Sequence, residues 1–359
     1  MAQMKLKQSC LYKQDIESVL NIKLDFINLR GKCILITGAT GLIGSVLVDK
    51  FVFISEKFNL ALKLWLVSRN VESHSENKRN VSLNYIKCDI SNENVAEKLP
   101  QGQKIDFVFH LASTTHPVAY SKYPVETILT NVNGTEKLLE LVSENSSCRF
   151  ILASTVEVYG DDIDLLENGF SETDFGYLDC NTSRACYNEA KRLSETLCQS
   201  YRAEKNCDVV IARLARSYGP TLRNDDTKAL SQFLSNGVKG ENIILKSNGT
   251  QFYSYIYNAD AANALLFLMF NGENGTAYNV GGGIESNIYL KDLAKLVAKN
   301  CGVKVIFDIP DETEQKGYSK AIRAVLNPKK INLLGWKAQI GIEEGIRRTI
   351  KVMRGDDEK

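Results

Sequence analysis

The chain has 359 residues, of which 44% are hydrophobic and 24% are charged, a composition typical of a globular protein with one large domain or two closely joined ones. Its 44 Lys and Arg residues nearly balance 43 Asp and Glu residues, so the formal charge is only +1. Disordered and collagen-like chains are excluded, and no global positive field exists to bind a nucleic acid or an anionic membrane.

The first 30 residues form a predicted helical extension in which lysines are mixed with acids and no leader peptide is indicated. The longest uncharged apolar run, residues 264–270, is far shorter than the roughly 20 residues of a membrane span. Nine cysteines without a C-x-x-C pair, with only three histidines, favour reduced thiols and predict no metal site. A cytoplasmic protein is therefore expected.

Short apolar runs alternate with longer helical segments over the first 215 residues. Continuous apolar runs, as at residues 34–36 and 107–109, predict strands buried on both faces, as in a parallel sheet covered by helices on both sides. Beyond Gly219 the pattern predicts more helices and isolated strands, as in a smaller domain. The predicted strands are residues 33–37, 63–67, 84–87, 107–111, 149–153, 209–213, 243–246 and 304–307, and the late helices are residues 228–238, 260–270 and 290–300.

Three glycines at the spacing G-x-x-G-x-x-G follow the first predicted strand and precede a helical run. Such a turn lets a pyrophosphate approach the backbone and lets the new helix pack closely on the strand, and neither contact tolerates a side chain. The N-terminus of the helix then meets the phosphates. The pattern predicts a dinucleotide site at Gly38, Thr40, Gly41, Leu42, Ile43 and Gly44.

The ends of the second and third predicted strands bear on which dinucleotide binds. Asp89 and Ile90 follow the third strand, where a carboxylate suits an adenine amino group. An NAD site usually has an acid after the second strand, on the ribose 2′-hydroxyl, but this chain has Ser68 and Arg69 there, which suit a 2′-phosphate. NAD and NADP are therefore alternative cofactors, and flanking the adenine is the simpler role for Arg69.

A tyrosine and a lysine, Tyr187 and Lys191, lie four residues apart in a predicted helix at residues 184–201. At this spacing both side chains project from one face, and the ammonium is expected to lower the pKa of the phenol from its usual value of about 10. Tyr187 is then a usable base. Upstream, after the fifth predicted strand, Thr155 offers a hydroxyl to a reacting oxygen and Glu157 a carboxylate beside it.

Together, these features resemble the extended short-chain dehydrogenase/reductase family of NAD-dependent nucleotide-sugar epimerases, dehydratases and decarboxylases, and within it most closely the UDP-glucuronate decarboxylases. The resemblance covers roughly residues 31–350. Besides the glycine turn, it rests on residues 110–113, 120–135, 152–161, 184–191, 212–213, 218–220 and 334–336.

The resemblance implies a Rossmann-type doubly wound α/β fold with a smaller, partly interleaved C-terminal domain. Residues 31–218 are the expected dinucleotide-binding domain, residues 219–350 the substrate-binding domain with segments that return to the main sheet, and residues 351–359 a tail. The two helices around residues 125–143 and 184–201 are the expected interface of a homodimer, although their apolar faces could equally pack on the sheet.

The resemblance further implies a tightly bound, recycled NAD or NADP and a nucleotide sugar that is oxidised transiently at C4. Tyr187 takes the proton of the C4 hydroxyl, Thr155 bonds the same oxygen, Lys191 holds the nicotinamide ribose, and Glu157 is the acid/base at C5. The expected further contacts are Leu111, Ala112 and Ser113 to the cofactor, and Thr115, Arg216, Tyr253 and Arg323 to the substrate.

Three positions depart from the family pattern. Val156 replaces the serine of the decarboxylases and the aspartate of the 4,6-dehydratases, which weakens the dehydratase interpretation because an apolar side chain cannot protonate a leaving hydroxyl. Arg216 stands where an asparagine is usual, and Tyr253 where an arginine is usual. Either Arg216 supplies the guanidinium missing at Tyr253, or the substrate differs.

Decarboxylation is the first predicted reaction, with 4,6-dehydration and 4-epimerisation as alternatives. A net oxidoreductase would use nearly the same residues. A dinucleotide-binding sensor without catalysis needs only the glycine turn, and Thr155, Tyr187 and Lys191 together argue against it.

Overall fold

A sheet of eight strands forms the centre of the computed structural model, which describes residues 6–113, 115, 117–161, 167–223, 225–309 and 321–356. Smaller sheets of four and two strands lie beside it. In chain order the strands are β1 (Cys33–Thr37), β2 (Leu62–Ser68), β3 (His74–Lys78), β4 (Val81–Lys87), β5 (Phe107–His110), β6 (Arg149–Thr155), β7 (Asp208–Leu214), β8 (Arg216–Tyr218), β9 (Ile243–Leu245), β10 (Phe252–Tyr257), β11 (Thr276–Val280), β12 (Asn287–Tyr289), β13 (Val305–Phe307) and β14 (Arg323–Ala324).

The central sheet has the order β11-β7-β6-β5-β1-β2-β4-β3, and every neighbouring pair except β3 and β4 is parallel. The chain leaves β1 for β2 on one side and later returns to place β5 on the other, so the strand order reverses between β1 and β5. Ligands bind at such a reversal, beyond the carboxyl ends of the strands. The predicted doubly wound α/β fold is confirmed.

Two strands of this sheet, β3 and β11, are absent from the predicted strands, and β3 has the less strand-like sequence. Its sequence is polar and every residue in it is exposed, so it has no apolar pattern that would indicate a strand. It pairs antiparallel with β4 across a tight turn in which Asn80 has a φ of 64°. Backbone pairing at the edge of the sheet, rather than burial, holds it in place.

Helices cover both faces of the central sheet, as the continuous apolar runs predicted. Within β1, Ile34 and Ile36 pack into one core with the helices Gly44–Phe58 and Asn258–Asn271, while Cys33 and Leu35 pack into a second core with the helices Pro124–Ser143 and Cys186–Lys205. The helices are α1 (Cys10–Glu17), α2 (Gly44–Phe58), α3 (Pro117–Lys122), α4 (Pro124–Ser143), α5 (Cys186–Lys205), α6 (Ala229–Val238), α7 (Asn258–Asn271), α8 (Leu290–Cys301), α9 (Lys329–Leu334) and α10 (Ile342–Arg354). Over the described ranges, none of them has the length and apolar character needed to span a bilayer.

The later part of the chain builds a smaller sheet around β10. Strands β8 and β14 pair parallel with β10, and β12 pairs antiparallel with it. Strand β11 instead joins the central sheet beside β7. The amphipathic helix α10 continues to Arg354 and keeps Val352 buried, so helical structure extends past residue 351, where the tail was predicted to start.

The N-terminal extension docks on helix α2, which follows β1. Helix α1 buries Tyr12 and Ile16, and two short 3-10 turns, Ser18–Asn21 and Phe26–Leu29, lead from it to β1. Lys50 of α2, which is fully buried, donates hydrogen bonds to the carbonyl oxygen of Asp15 and to the hydroxyl of Ser18. The ammonium therefore meets the C-terminal end of α1, where the helix dipole favours a positive charge.

Candidate active site

The glycine turn lies between β1 and α2, at the reversal of strand order. Gly38 has a φ of +69°, and a Cβ there would lie 2.8 Å from the amide nitrogen of Ala112. A Cβ on Gly44, the first residue of α2, would lie 2.1 Å from the carbonyl oxygen of Gly38. Only glycine fits either position, and the backbone that remains uncovered suits a pyrophosphate. The residues of this turn therefore fit a dinucleotide.

Two residues distant in sequence support the turn. The hydroxyl of Thr221 donates a 2.6 Å hydrogen bond to the carbonyl oxygen of Leu42, and the amide of Asn258 donates to Thr221 at 2.8 Å. Ile43 is partly buried just before α2. The sequence predicted neither Thr221 nor Asn258, although Thr221 directly follows the quoted motif at residues 218–220.

The residues predicted to select the dinucleotide lie close to the turn. The hydroxyl of Ser68 is 2.9 Å from that of Thr40, so the end of β2 is tied to the glycine turn. Arg69 is half exposed and forms an ion pair with Glu126 of α4 at 3.1 Å. The Arg69 guanidinium, which suggested a site for a 2′-phosphate, is therefore paired with the Glu126 carboxylate.

Asp89 and Ile90 begin the loop after β4. The Asp89 carboxylate accepts hydrogen bonds from the amide and the hydroxyl of Ser91 at 3.1 and 2.7 Å. Partial burial opposes these bonds, but together with the nearby charge of Arg69 they lower the pKa of Asp89. Ile90 is buried against α4, where a Cβ on Gly134 would lie 2.7 Å from its Cδ1 atom. Both residues hold the loop in position, and the Asp89 charge is already hydrogen-bonded within it.

The segment after β5 passes directly beside the turn. The backbone amides of Leu111 and Ala112 donate to the carbonyl oxygen and the hydroxyl of Thr37, each at 3.2 Å. The hydroxyl of Ser113 donates a 2.8 Å hydrogen bond to Asn131 of α4. Leu111, Ala112 and Ser113 thus lie between the glycine turn and the predicted catalytic residues.

Tyr187 lies in the first turn of α5 and is only 6% exposed. The hydroxyls of Thr155 and Ser113 lie close enough to its phenol to lower the pKa, and its ring stacks on that of Tyr120 with centroids 4.8 Å apart. The structure therefore brings together Thr155, Ser113 and Tyr187, which lie far apart in the chain.

The predicted direction of the Tyr187 pKa is wrong. Burial raises the pKa of Tyr187, and the hydrogen bonds with Thr155 and Ser113 oppose that rise only in part. The reason is that loss of solvent disfavours the phenolate more strongly than these hydroxyls favour it. The ammonium of Lys191, one helical turn away, donates a 2.9 Å hydrogen bond to the carbonyl oxygen of Ala153. Burial lowers the pKa of Lys191 to about 8.

The Glu157 carboxylate is held by groups on three elements. Arg216 of β8 donates a hydrogen bond of 2.8 Å to Oε1, and the side-chain amide of Asn188 donates a longer one of 3.4 Å to Oε2. A guanidinium nitrogen of Arg184, just before α5, lies 4.0 Å from Oε2. The amide of Glu157 itself donates to the Thr155 hydroxyl at 3.3 Å, which ties Glu157 to the residue beside the Tyr187 phenol.

Arg216 and Tyr253, the two unusual residues, are in contact. The guanidinium carbon of Arg216 lies 3.6 Å from the centroid of the Tyr253 ring. The Tyr253 hydroxyl donates to the carbonyl oxygen of Ala321 at 2.7 Å and is turned away from that contact. The guanidinium of Arg216 therefore lies over the ring of Tyr253, as the first of the two alternatives for this pair of residues requires.

Two other predicted substrate contacts lie around this region. Arg323 of β14 pairs with Phe252 of β10, and its guanidinium carbon is 5.3 Å from the Phe252 ring centroid. Thr115 is exposed, and its carbonyl oxygen accepts a long hydrogen bond of 3.4 Å from Lys228. No contact described for Thr115 or Arg323 joins either residue to Tyr187.

Arg184 and Asn188 were not predicted as site residues. Their spacing carries a signal, because residues 184, 188 and 191 follow the i, i+4 and i+7 pattern of one helix face. The guanidinium of Arg184 donates to Asn188 at 3.3 Å and lies over the ring of Tyr120, 5.1 Å from its centroid. Both residues therefore surround the predicted catalytic tyrosine.

A parallel sheet with a glycine-rich turn at its reversal, beside a Thr, Tyr and Lys constellation, defines a Rossmann-type dinucleotide-dependent enzyme. The chain matches the model of the NAD dependent epimerase/dehydratase family over residues 34–281. It is 31% identical to UDP-glucuronic acid decarboxylase 6 of Arabidopsis thaliana over 87% of this chain and 86% of that relative. It is 29% identical to UDP-glucuronic acid decarboxylase 1 of Xenopus tropicalis over 90% of this chain and 72% of that relative.

Solved structures show the same fold. The UDP-glucose 4-epimerase of Thermotoga maritima superposes with a TM-score of 0.77 at 24% identity, covering 90% of this chain and 99% of that one. The dTDP-glucose 4,6-dehydratase of Bacillus anthracis, solved in complex with NAD, superposes with a TM-score of 0.73 at 20% identity, covering 91% and 98%.

The chain belongs to the NAD dependent epimerase/dehydratase family. Membership confirms the resemblance seen in the sequence and identifies the protein as an enzyme with a nicotinamide dinucleotide cofactor. The family description names NAD, and the glycine turn fits that cofactor.

Proposed function

We propose that the chain is a nucleotide-sugar decarboxylase that acts on UDP-glucuronate through transient oxidation at C4. The observation that carries this proposal is the cluster of Tyr187, Thr155 and Ser113, in which two hydroxyls lie close enough to the buried phenol to lower its pKa, beside the glycine turn. The relatives at about 30% identity, over most of the chain, are UDP-glucuronic acid decarboxylases, which supports this choice among the reactions of the family.

Some of the site residues hold the cofactor, and others act on the C4 hydroxyl of the sugar. Gly38, Gly41 and Gly44 hold the pyrophosphate, and Lys191 holds the nicotinamide ribose. The dinucleotide, when bound, supplies the acceptance and return of a hydride. Tyr187 takes the proton of the C4 hydroxyl, and Thr155 hydrogen-bonds the same oxygen.

A keto group at C4 makes the C6 carboxylate of a uronate a β-keto acid. The C5–C6 bond then breaks, its electron pair moves toward the C4 oxygen, and carbon dioxide leaves. Carbon C5 next takes a proton, with Glu157 as the acid/base group. A hydride returned to C4 by the bound dinucleotide would leave no net redox change. Glu157 is suited to this role by its place beside Thr155.

The substrate contacts are proposed from the second sheet. Arg216 and Tyr253 act together as one surface against the sugar, and Arg323 and Thr115 contact the substrate farther from Tyr187. This arrangement supports the compensation hypothesis, in which Arg216 supplies the guanidinium missing at Tyr253, because the two side chains are in direct contact.

Val156 disfavours the dehydratase alternative. Its side chain is only 2% exposed, so this position presents no group that could protonate a leaving 6-hydroxyl. 4-Epimerisation needs no such group and is the second candidate, favoured by the fold shared with UDP-glucose 4-epimerase.

Product analysis tests the proposal. The purified protein is incubated separately with UDP-glucuronate, UDP-glucose and dTDP-glucose, and the products are measured by mass spectrometry. We expect UDP-glucuronate to lose the mass of carbon dioxide, and Tyr187→Phe to reduce the rate about 10²–10⁴-fold while the protein stays folded. Loss of water, or a new sugar at unchanged mass, would instead indicate dehydration or epimerisation.

Two further outcomes separate the remaining alternatives. Stoichiometric growth of the reduced nicotinamide absorbance would identify a net oxidoreductase. A sensor would gain thermal stability from the dinucleotide but transform none of the three sugars.

The assembly and location of the enzyme are also proposals. Five apolar side chains are exposed on α4, just before it and on α5: Tyr123, Val125, Ile128, Leu129 and Leu193. A second copy of the chain can cover them. We therefore propose a homodimer. All nine cysteines are free thiols, which supports a reducing compartment such as the cytoplasm. Residues 31–218 and 219–350 are proposed as the cofactor and substrate domains.

A further inference from the structure

Two arginines flank the Glu157 carboxylate beside the proposed catalytic tyrosine. Arg216 is 2.8 Å from Oε1, and Arg184 is 4.0 Å from Oε2. One carboxylate thus faces two guanidinium groups, so these three side chains, the Glu157 cluster, carry one net positive charge. Their side chains are at most 25% exposed, and solvent screens such a charge only weakly.

Each guanidinium of the Glu157 cluster also has a buried nitrogen without an acceptor. Within the ranges that the structure describes, Nε of Arg184 and Nη1 of Arg216 are buried and make no hydrogen bond. A buried donor is costly to leave unpaired, and such groups in a binding site point to a missing ligand atom. An acceptor that also carries negative charge would satisfy both the donors and the net charge.

The orientation of Arg216 is set by its neighbours. Its guanidinium carbon lies 3.6 Å from the centroid of the Tyr253 ring, and the Tyr253 hydroxyl donates a hydrogen bond to the carbonyl oxygen of Ala321. Strands β8 and β10 pair in parallel, which places both side chains on a rigid sheet. A stacked, planar guanidinium presents its free edge in one direction, as carboxylate recognition requires.

The Glu157 cluster lies at the reacting end of the proposed site. The amide of Glu157 donates to the hydroxyl of Thr155, and that hydroxyl lies beside the Tyr187 phenol. Arg184 lies over Tyr120, whose ring stacks on Tyr187. The arginines of the Glu157 cluster are therefore linked to Tyr187 in two ways, through Glu157 and Thr155 and through the ring of Tyr120.

We infer that Arg216 is a specificity-determining residue, whose free guanidinium edge binds an anionic substituent of the sugar, a C6 carboxylate, in competition with Glu157. This inference rests on the proposed function and adds to it the group that distinguishes an acidic sugar from a neutral one. Arg184 contributes the second donor. The carboxylate of Glu157 is the internal anion that holds Arg216 in place, and it opposes binding of the substrate carboxylate.

Binding measurements test this without turnover. In a Tyr187→Phe background with NAD present, the affinities for UDP-glucuronate and UDP-glucose are measured by isothermal titration calorimetry. Arg216→Gln should lower the affinity for UDP-glucuronate at least about tenfold, since a charge-assisted hydrogen bond is lost. It should change the affinity for UDP-glucose by less than about threefold. Glu157→Gln should raise the affinity for UDP-glucuronate, because it removes the competing anion, and should leave the affinity for UDP-glucose unchanged.

Two variants serve as controls. Arg347→Gln removes the same charge from a partly exposed arginine of α10, which pairs with Glu344, and should change neither affinity. If Arg216→Gln alone does not fold, the double variant Glu157→Gln with Arg216→Gln replaces the ion pair by two amides. The double variant should bind both sugars with similar affinity.

The outcomes that overturn the inference are distinct. If Arg216→Gln lowers the affinities for both sugar nucleotides equally, Arg216 contacts the diphosphate that they share. No change in either affinity, or no tightening by Glu157→Gln, would make Arg216 a structural partner of Glu157 only. If neither sugar nucleotide binds the Tyr187→Phe protein, the proposed function fails together with the inference.

Discussion

Tyr187 and Lys191 lie one helical turn apart, yet burial moves their pKa values in opposite directions. Burial raises the pKa of the Tyr187 phenol and lowers that of the Lys191 ammonium to about 8, because in each case it disfavours the charged form. Catalysis by the proposed mechanism needs both charged forms at once. The pH dependence of the reaction is therefore decided by these two residues.

The first prediction is a pH profile. Between pH 6 and 10 the ionised fraction of Tyr187 rises about tenfold per pH unit, while Lys191 loses its charge above about 8. The value of kcat/KM should rise up to a pH of about 8 and then level, because further gain from Tyr187 is offset by loss from Lys191. In Lys191→Arg the cation stays charged, and the rise should continue toward pH 10.

Initial-rate measurements with the wild type, Lys191→Arg and Lys191→Met check this profile. Lys191→Met should lower kcat/KM at every pH, because it never carries the charge. Identical profiles for the wild type and Lys191→Arg would show that Lys191 does not control the break in the curve.

At the scale of elements, the strand, turn and helix around Gly38 depend on two separate steric conditions. Gly38 has a positive φ, and a Cβ on it would also meet Ala112 of the neighbouring segment. Gly102 has a similar φ of +73° but open space where its Cβ would be. The two positions separate backbone strain from close packing.

We predict that Gly38→Ala weakens NAD binding at least about tenfold, because strain and the clash with Ala112 both distort the phosphate-binding backbone. Gly102→Ala should cost about 1 kcal/mol of stability and leave NAD affinity unchanged. Calorimetric titration with NAD and thermal unfolding measure the two effects. Equal losses of affinity in both variants would contradict this prediction.

Another element-scale contact joins the N-terminal extension to the nucleotide-binding half. Lys50 of α2 reaches the end of α1, and Asp15 of α1 also accepts hydrogen bonds from Tyr257 and Arg348 at 2.6 and 2.7 Å. Helix α1, helix α10 and strand β10 therefore meet at one buried, charged cluster. Removal of the ammonium would leave the carbonyl oxygen of Asp15 and the hydroxyl of Ser18 without this donor, and would take a positive charge away from the buried Asp15 carboxylate.

Lys50→Ala is expected to lower the free energy of unfolding by about 3 kcal/mol or more, the usual cost of removing one partner from a buried charged group. Lys57→Ala, an exposed lysine of the same helix, should change it by less than about 1 kcal/mol. Urea denaturation of both variants measures the difference. A similar, small effect in each would mean that the extension is not anchored by Lys50.

At the scale of the whole molecule, the exposed apolar side chains on and beside α4 and α5 concern assembly. Val125 is 67% exposed and Leu193 is 45% exposed, although both belong to helices whose other faces pack on the central sheet. An apolar surface of this kind is normally covered by a partner. A second copy of the chain would bury it symmetrically.

We predict that the wild type elutes with the mass of two chains and that Val125→Glu with Leu193→Glu shifts it toward one. In the dimer the two carboxylates would be buried against apolar groups, and this unfavourable burial would lower the stability of the dimer. Size exclusion with light scattering measures the mass, and Ile306→Glu, at an exposed apolar residue of β13, is the matched control. A wild type that elutes as one chain would contradict the dimer.

The features that could be predicted from the sequence are those that depend on local geometry. Continuous apolar runs identified the buried strands, because a strand buried on both faces has no polar positions. The glycine spacing identified the turn, and the four-residue spacing of Tyr187 and Lys191 placed them on one helix face. Strand β3 was missed for the same reason, since its sequence has no local apolar pattern.

Tertiary structure alone decided the contacts between distant segments. Thr221 supports Leu42 across 179 residues, and Arg216 meets both Glu157 and Tyr253. The direction of the Tyr187 pKa also depended on the fold, because desolvation by the surrounding elements outweighs the neighbouring hydroxyls. Backbone periodicity is a property of adjacent residues, whereas burial and charge pairing depend on the distances that the folded chain sets between remote ones.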